Sequence, residues 1–302
     1  YQIFPKAVAI AESGWTLNKN KDWKNFCQRM TGEFDRLEIL DVKACRNFFD
    51  VNINTHVEDN ILNVILETYY PDAQIYYTTD GSEPTEKSTL YTQPFPLQNN
   101  IDLKTAAFKD GKMLGKVRHK PLYGNLISGK TYSVIPEMGW AKGDTFGEND
   151  KLGADKTTFG LTNGKRGNNA SYAPWCSFSM NDQCKEVIFS VQLDKPTEIS
   201  KVVFGSLFNP AYRVLPVSSA TVEVSDDGKQ FNEVATTPFS RQLPETGRKA
   251  FTDSITFSPI QATYVRLTLR NGGVIRNGID CRRDTPEEII QADLYIDEIE
   301  VY

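Results

Sequence analysis

Runs of residues that alternate apolar and polar with a period of two constrain this chain more than any other feature. Val187, Phe189, Val191 and Leu193 alternate with Ile188, Ser190, Gln192 and Asp194; Val222 and Val224 alternate with Thr221, Glu223 and Ser225; Val265, Leu267 and Leu269 alternate with Tyr264, Arg266, Thr268 and Arg270. Successive side chains of a strand leave opposite faces, so each run gives one face to a core. Asp226-Asp227-Gly228 supplies a tight turn that returns Phe231 across the 222–224 strand. The span 130–302 therefore reads as one all-β sandwich or jelly roll.

The rest of the chain reads differently. With 302 residues the chain exceeds what one hydrophobic core usually serves, which points to two or three domains. Between 49 and 124, short runs such as 74–78 are punctuated by Pro71-Asp72, Asp80-Gly81, Gln93-Pro94 and Asp110-Gly111, the pattern of a small antiparallel sandwich. Its Tyr69, Tyr70, Tyr76 and Tyr77 read as sheet-packing residues. Over 1–48 the period changes. Pro5 suits a first helical turn, and Phe4, Val8, Ala11 and Trp15 recur at helical spacing. Asp22 is placed to cap a second helix with the stripe Trp23, Phe26, Met30, Phe34, Leu37 and Leu40. Two helices of this length cannot bury both apolar faces against each other, so something else must cover them. Gly124, Asn125, Ser128 and Gly129 give 123–129 the composition of a linker.

Several function classes are excluded. A net charge of −5, from 34 Lys and Arg against 39 Asp and Glu, offers no electrostatic capture of nucleic acid or of an anionic membrane. No run approaches the roughly 20 apolar residues of a membrane span, and the first residues lack the layout of a signal peptide. An export signal is expected upstream. Five cysteines, Cys27, Cys45, Cys176, Cys184 and Cys281, are too few and scattered for a disulfide scaffold; Cys176 and Cys184 are the nearest pair for a single bridge. The acidic doublets read as a turn (Asp226-Asp227), a helix or loop start (Glu287-Glu288) and a strand edge (Asp297-Glu298) rather than as a catalytic pair. His56 and His119 have no Ser or Cys partner at a recognisable elbow.

The stretch 161–178, LTNGKRGNNASYAPWCSF, is the most informative loop. Its Gly and Asn residues allow φ > 0 and outward carbonyls that suit a hard cation, while Tyr172, Trp175 and Phe178 offer flat faces for a sugar ring or a core. Asn169-Ala170-Ser171 also fits a glycosylation acceptor.

Three resemblances accompany these readings. FPKAVAIAESGWT followed by DWKNFCQRMTGEFDRLEIL resembles the end of the catalytic (β/α)8 barrel of family 20 glycoside hydrolases, the β-N-acetylhexosaminidases; 32–34 departs from the His-containing run usual there. That family's catalytic Asp-Glu pair lies upstream and has no counterpart here. IYYTTDGSEPTEKSTLYTQPF resembles the immunoglobulin-like chitobiase/β-hexosaminidase C-terminal domain. LTNGKRG, PWCSF, VEVSDDGKQF, YVRLTL and the terminal EIEVY resemble the discoidin or factor 5/8 type C family, also called carbohydrate-binding module family 32. Together they imply a mainly β chain: a short helical hairpin, an immunoglobulin-like sandwich and a discoidin-like jelly roll. They also imply the non-catalytic part of an exported glycosidase, in contact with an upstream barrel.

The discoidin resemblance implies a structural calcium and a ligand site on loops at one end. Thr162, Asn163 and Arg166 of the turn and Glu298 of EIEVY fall at the cation positions. Asn163 stands where the family often has Asp, and a glycine-rich turn held by its own hydrogen bonds is the alternative. For a glycan ending in a hexose or N-acetylhexosamine, the candidates are Asn209, Tyr212 and Arg213 of NPAYR, Arg276 and Arg282 of the basic loop 270–283, and Trp175. A ring stacks on a sugar's apolar face and a guanidinium fork bridges neighbouring hydroxyls. For Trp175 the family pattern favours a place in the core. An adhesion or docking role is the rival reading, because one fold hosts many ligands.

Overall fold

A computed structural model describes residues 3–70, 72–136, 140–141, 160–170, 175–276 and 289–302. The chain is mainly β, and it divides into two compact units. One comprises Tyr1–Thr55, Asn63–Pro96 and Ile101–Pro121; the other comprises His56–Leu62, Leu97–Asn100 and Leu122–Tyr302.

In the first unit the helices Lys6–Trp15 and Trp23–Ile39 form where the helical spacing places them. The Asp22 carboxylate accepts from the Asn25 N–H at 3.1 Å, capping the second helix by satisfying an orphan first-turn donor. Phe26, Cys27, Met30 and Phe34 of that helix are buried against Phe49 and Tyr70, with Ala73 and Leu114 packed alongside. The sandwich is thus what covers the second helix. Lys6–Trp15 buries no residue, and Ile10, Trp15, Leu17, Ile39 and Leu40 are exposed. The strand Gln74–Thr78 pairs with Ile101–Lys109 on one side and Thr89–Leu90 on the other.

Two long strands, Glu186–Phe208 and Lys249–Arg270, build the second unit. They pair antiparallel along their whole length, with register shifts between Gln192 and Thr197 and between Ile199 and Lys201. Bulges at such shifts bend a strand. Before the shifts, Glu186–Phe208 pairs also with Tyr132–Ile135; after them it pairs with the terminal strand Leu294–Val301. One strand pair therefore contributes to both walls of a jelly roll, and Phe178, Phe189, Phe204, Val222, Leu267 and Ile299 meet in its core. Cys176 and Cys184 are both free thiols, so the bridge considered between them is not formed.

The stretch 123–129 is no loose linker. Ile127 is fully buried in the core, and the Asn125 side-chain oxygen accepts from the N–H groups of Ile127 and Val301 at 3.0 and 3.2 Å. Its polar composition serves a buried hydrogen-bonded turn. Among the described residues no helix is long and apolar enough to cross a membrane.

Candidate functional site

The 161–169 turn and the terminal strand form one acid-rich locus. Phe204 pairs with Ile299 and Ser206 with Ile296, so Asp297 and Glu298 together stand opposite Gly205 alone. This is a β-bulge, which re-aims side chains out of strict alternation. A Cβ on Gly205 would lie 2.1 Å from Asp297 Oδ1, so the bulge needs glycine there. The doublet read as a strand edge is in fact central: Leu294–Val301 is flanked by Cys176–Phe178 and Glu186–Phe208, and Asp297, Glu298 and Glu300 are all buried. Alternation missed this because the bulge breaks it.

The turn closes over these acids. Gly167 N–H donates to Asp297 Oδ2 at 2.7 Å, while Asp297 Oδ1 has no partner. Glu300 accepts from Arg166 Nε at 2.8 Å and also from Arg166 Nη2 and the Tyr302 hydroxyl. Neither oxygen of Glu298 has a hydrogen bond of normal geometry. Burial pushes the Asp297 carboxyl up to about 7, and it drives Glu298 well above the usual carboxylate range; the nearby N–H groups of Gly164 and Lys165 offset that only in part. Of the three buried carboxyls, Glu300 binds the Arg166 guanidinium and Asp297 feels its charge.

The turn that carries Thr162 and Asn163 runs beside the terminal strand, with the N–H groups of Gly164 and Lys165 directed at Glu298. Asn163 Oδ1 accepts from Lys165 N–H at 3.0 Å, and Thr162 Oγ1 donates to the Lys130 carbonyl at 3.0 Å, which fixes the turn. Gly164 sits at φ +75, where a side chain would be strained. Arg166 departs from the expectation, because its guanidinium is engaged by Glu300 and would repel a cation; only its carbonyl could serve. Once deprotonated, the two unpartnered Glu298 oxygens would be hard ligands of the kind calcium takes. Among the described residues no three His, Cys, Asp or Glu side chains converge, so turn oxygens would have to join Glu298.

Trp175 lies under this turn, not on the surface. It is fully buried with Leu207, Val214 and Tyr295, and its Nε1 donates to the Asn168 carbonyl at 3.4 Å. A Cβ on Gly167 would come within 2.2 Å of the indole. Its ring is therefore withdrawn from the sugar-binding set, for a ring enclosed on both faces has none to offer.

The other face of the Trp175 cluster supports the turn 209–214. Asn209 and Val214 exchange two backbone hydrogen bonds, 2.9 and 3.1 Å, enclosing a short helical turn Pro210–Tyr212. Asn209 is buried, whereas Tyr212 is 52% exposed. Arg213 occupies the left-handed region at φ 62 and ψ 32, a conformation that costs a non-glycine residue roughly 1 kcal/mol. Its guanidinium has no hydrogen-bond or ion-pair partner among the described residues. Leu215 and Phe208 pack with Ala292, Phe251 and Ile275, which brings the base of the basic loop to the same end. There Val274–Arg276 pairs with Ile289–Gln291. Arg276 ends that strand, and Arg282 lies outside the described residues, as do Tyr172 and Ser171.

Residues 151–278 match the F5/8 type C domain family. This segment is an F5/8 type C domain. Residues 64–122, read above as an immunoglobulin-like module, match the Fn3 associated family. A β-hexosaminidase of Porphyromonas gingivalis is 29% identical over 132 residues, which cover 39% of this chain and 15% of that protein. The chain thus spans under a sixth of the relative's length. Among solved structures, chitosan-binding module 1 from a Paenibacillus chitosanase/glucanase is 20% identical to the part it covers, 60% of this chain and 99% of its own, with a TM-score of 0.30. The Clostridium perfringens module CpGH89CBM32-5, in complex with GalNAc-β-1,3-galactose, is 10% identical over 57% of this chain and 94% of its own, with a TM-score of 0.31.

Beyond the residues named from sequence, the acid-rich locus draws on Asp297 and Gly205. Asp297 was legible only as one half of an acidic doublet, and Gly205 carried no signal without the bulge.

Proposed function

We propose that the F5/8 type C domain binds glycans through the turn 209–214, as the non-catalytic part of an exported β-N-acetylhexosaminidase-like glycosidase. The observation that carries this is an exposed Tyr212 ring next in sequence to Arg213, whose guanidinium has no hydrogen-bond or ion-pair partner among the described residues and whose backbone holds a conformation that glycine would adopt without strain. Tyr212 offers a stacking face, and the Arg213 fork offers planar donors to adjacent hydroxyls. The ligand is a glycan ending in a hexose or N-acetylhexosamine. The likeness to a β-hexosaminidase supports the parent context.

Tyr212→Ala and Arg213→Gly are each expected to weaken glycan binding at least tenfold in calorimetric titration, about 1.4 kcal/mol. Arg213→Gly should leave stability within about 1 kcal/mol of the parent, since glycine accepts the left-handed region. Unchanged affinity in both variants would discard this site. This chain should not cleave an N-acetylhexosaminide reporter; turnover above background would show a catalytic pair that the reading lacks.

Calcium is proposed at the acid-rich locus, held by Glu298 with oxygens of Thr162, Asn163 and the carbonyl of Arg166. When bound, such an ion supplies positive charge that buried carboxylates otherwise lack. The exposed apolar side chains on the first unit support a second contact, with the upstream barrel. Amide exchange across Lys6–Trp15 should then be slower in the full-length enzyme than in this chain, and equal rates would count against it.

A further inference from the structure

Two aromatic side chains of the first unit meet at its surface. Of the apolar stripe on the second helix, Phe26, Met30 and Phe34 are buried, whereas Trp23 is 58% exposed. Tyr69, expected from sequence to pack within the sheet, is instead 53% exposed. The two rings stand perpendicular, at 87°, with centroids 6.3 Å apart. Phe48 touches both, nearly parallel to Tyr69 at 6.1 Å and edge-on to Trp23 at 6.4 Å, and joins them to Phe34 and Phe49 of the core. The rings are thus fixed before anything binds, which spares the cost of ordering them. Polar groups beside them are fixed as well. Gln28 Nε2 donates to Asp72 Oδ2 at 2.6 Å, and Lys24 Nζ lies 3.4 Å from Asp72 Oδ1. These contacts tie the loop that carries Tyr69 to the helix that carries Trp23. A carboxylate accepts at about four positions, so Asp72 keeps capacity for further donors.

We propose that Trp23 and Tyr69 form a second glycan-binding site, in the first unit, which takes a pyranose of a neutral β-linked oligosaccharide. This site is independent of the turn 209–214. A pyranose with equatorial hydroxyls presents C–H groups from its faces and hydroxyls from its rim. In the corner between two perpendicular rings, one ring stacks under a face of the sugar and the other meets its edge. Asp72, Gln28 and Lys24 then supply the few placed acceptors and donors that fix orientation. Lys24 pairs with Asp72, so neither is left as a lone charge to select an acidic sugar. A protein or lipid partner would instead need a broad apolar face. Lys21, Asp22, Lys24 and Asn25, on either side of Trp23, are all exposed, so the rings form an aromatic island in a polar surround.

The test follows the Trp23 indole N–H by NMR while triacetylchitotriose and cellotriose are titrated in turn into the whole chain, with and without Tyr212→Ala. At least one sugar should move the Trp23 resonance saturably in both proteins, and Tyr69→Ala should weaken that binding roughly tenfold. Tyr69→Leu, which keeps apolar bulk and loses the flat ring, should weaken it as much, and it separates stacking from any loss of folding in the alanine variant. A Trp23 resonance that neither sugar moves, or binding that neither Tyr69 variant weakens, overturns the proposal and leaves the turn 209–214 standing. A response at Trp23 with none at Tyr212 supports the second site while discarding the first. Broadening at Trp23 that grows with protein concentration and ignores both sugars would make the rings a face for a second copy of this chain, and also overturns the proposal.

Discussion

Trp175→Ala is expected to lower the melting temperature of this chain by roughly 10 °C and to weaken glycan binding, although Trp175 touches neither solvent nor ligand. Removing a fully buried tryptophan costs about 3–5 kcal/mol, and each kcal/mol is worth about 2–4 °C in a domain of this size. The second effect follows from where the ring sits. It packs on Val214, whose backbone closes the 209–214 turn, and it receives Gly167 and Asn168 of the other turn. A cavity there loosens both turns at once. Differential scanning calorimetry and a glycan titration of the folded variant check the two effects separately. A melting temperature within 2–3 °C of the parent, which corresponds to about 1 kcal/mol, would mean that Trp175 is not the keystone described.

The second large effect concerns pH and divalent cations. Asp297 and Glu298 hold protons more tightly in the folded chain than in the unfolded one, so the folded state binds more protons above the ordinary carboxylate value of about 4. Stability contributed by the protonated carboxyls is present below pH 4 and is lost as pH rises through the Asp297 value of about 7. Without divalent cations, the melting temperature should therefore fall across that window relative to a Glu298→Gln variant, which keeps the shape and discards one buried charge. Millimolar calcium should reverse the fall in the parent and do little for Glu298→Gln. Ligand linkage at a hundredfold excess over Kd supplies roughly 2.7 kcal/mol. Thermal melts at pH 4.5 and 7.5, with chelator and with calcium, decide this; a parent indifferent to calcium at pH 7.5 removes the ion from the locus.

Sequence made the regular parts of this protein legible because they obey period rules. The alternations over 187–194, 221–225 and 264–270 became strands in one hydrogen-bonded set, and the Asp22 cap formed as its residue type implies. Features that break period were not legible. The bulge opposite Gly205 turns Asp297 and Glu298 together, and no spacing argument anticipates two consecutive buried acids on a central strand. The 123–129 stretch was misleading for a related reason: Asn and Ser satisfy buried backbone groups as readily as they loosen a linker. Trp175 could not be assigned from sequence, since a ring that stacks on a sugar and a ring that fills a core are the same residue. Burial alone separates them.

The two mutual hydrogen bonds between Asn209 and Val214 have an engineering consequence. They close the four intervening residues into a cassette whose ends are fixed whatever its contents. Randomising 210–213, with a residue tolerant of the left-handed region kept at 213, should yield folded libraries in which recognition varies while the jelly roll below keeps its melting behaviour. Such a library would turn the proposed binding turn into an evolvable one.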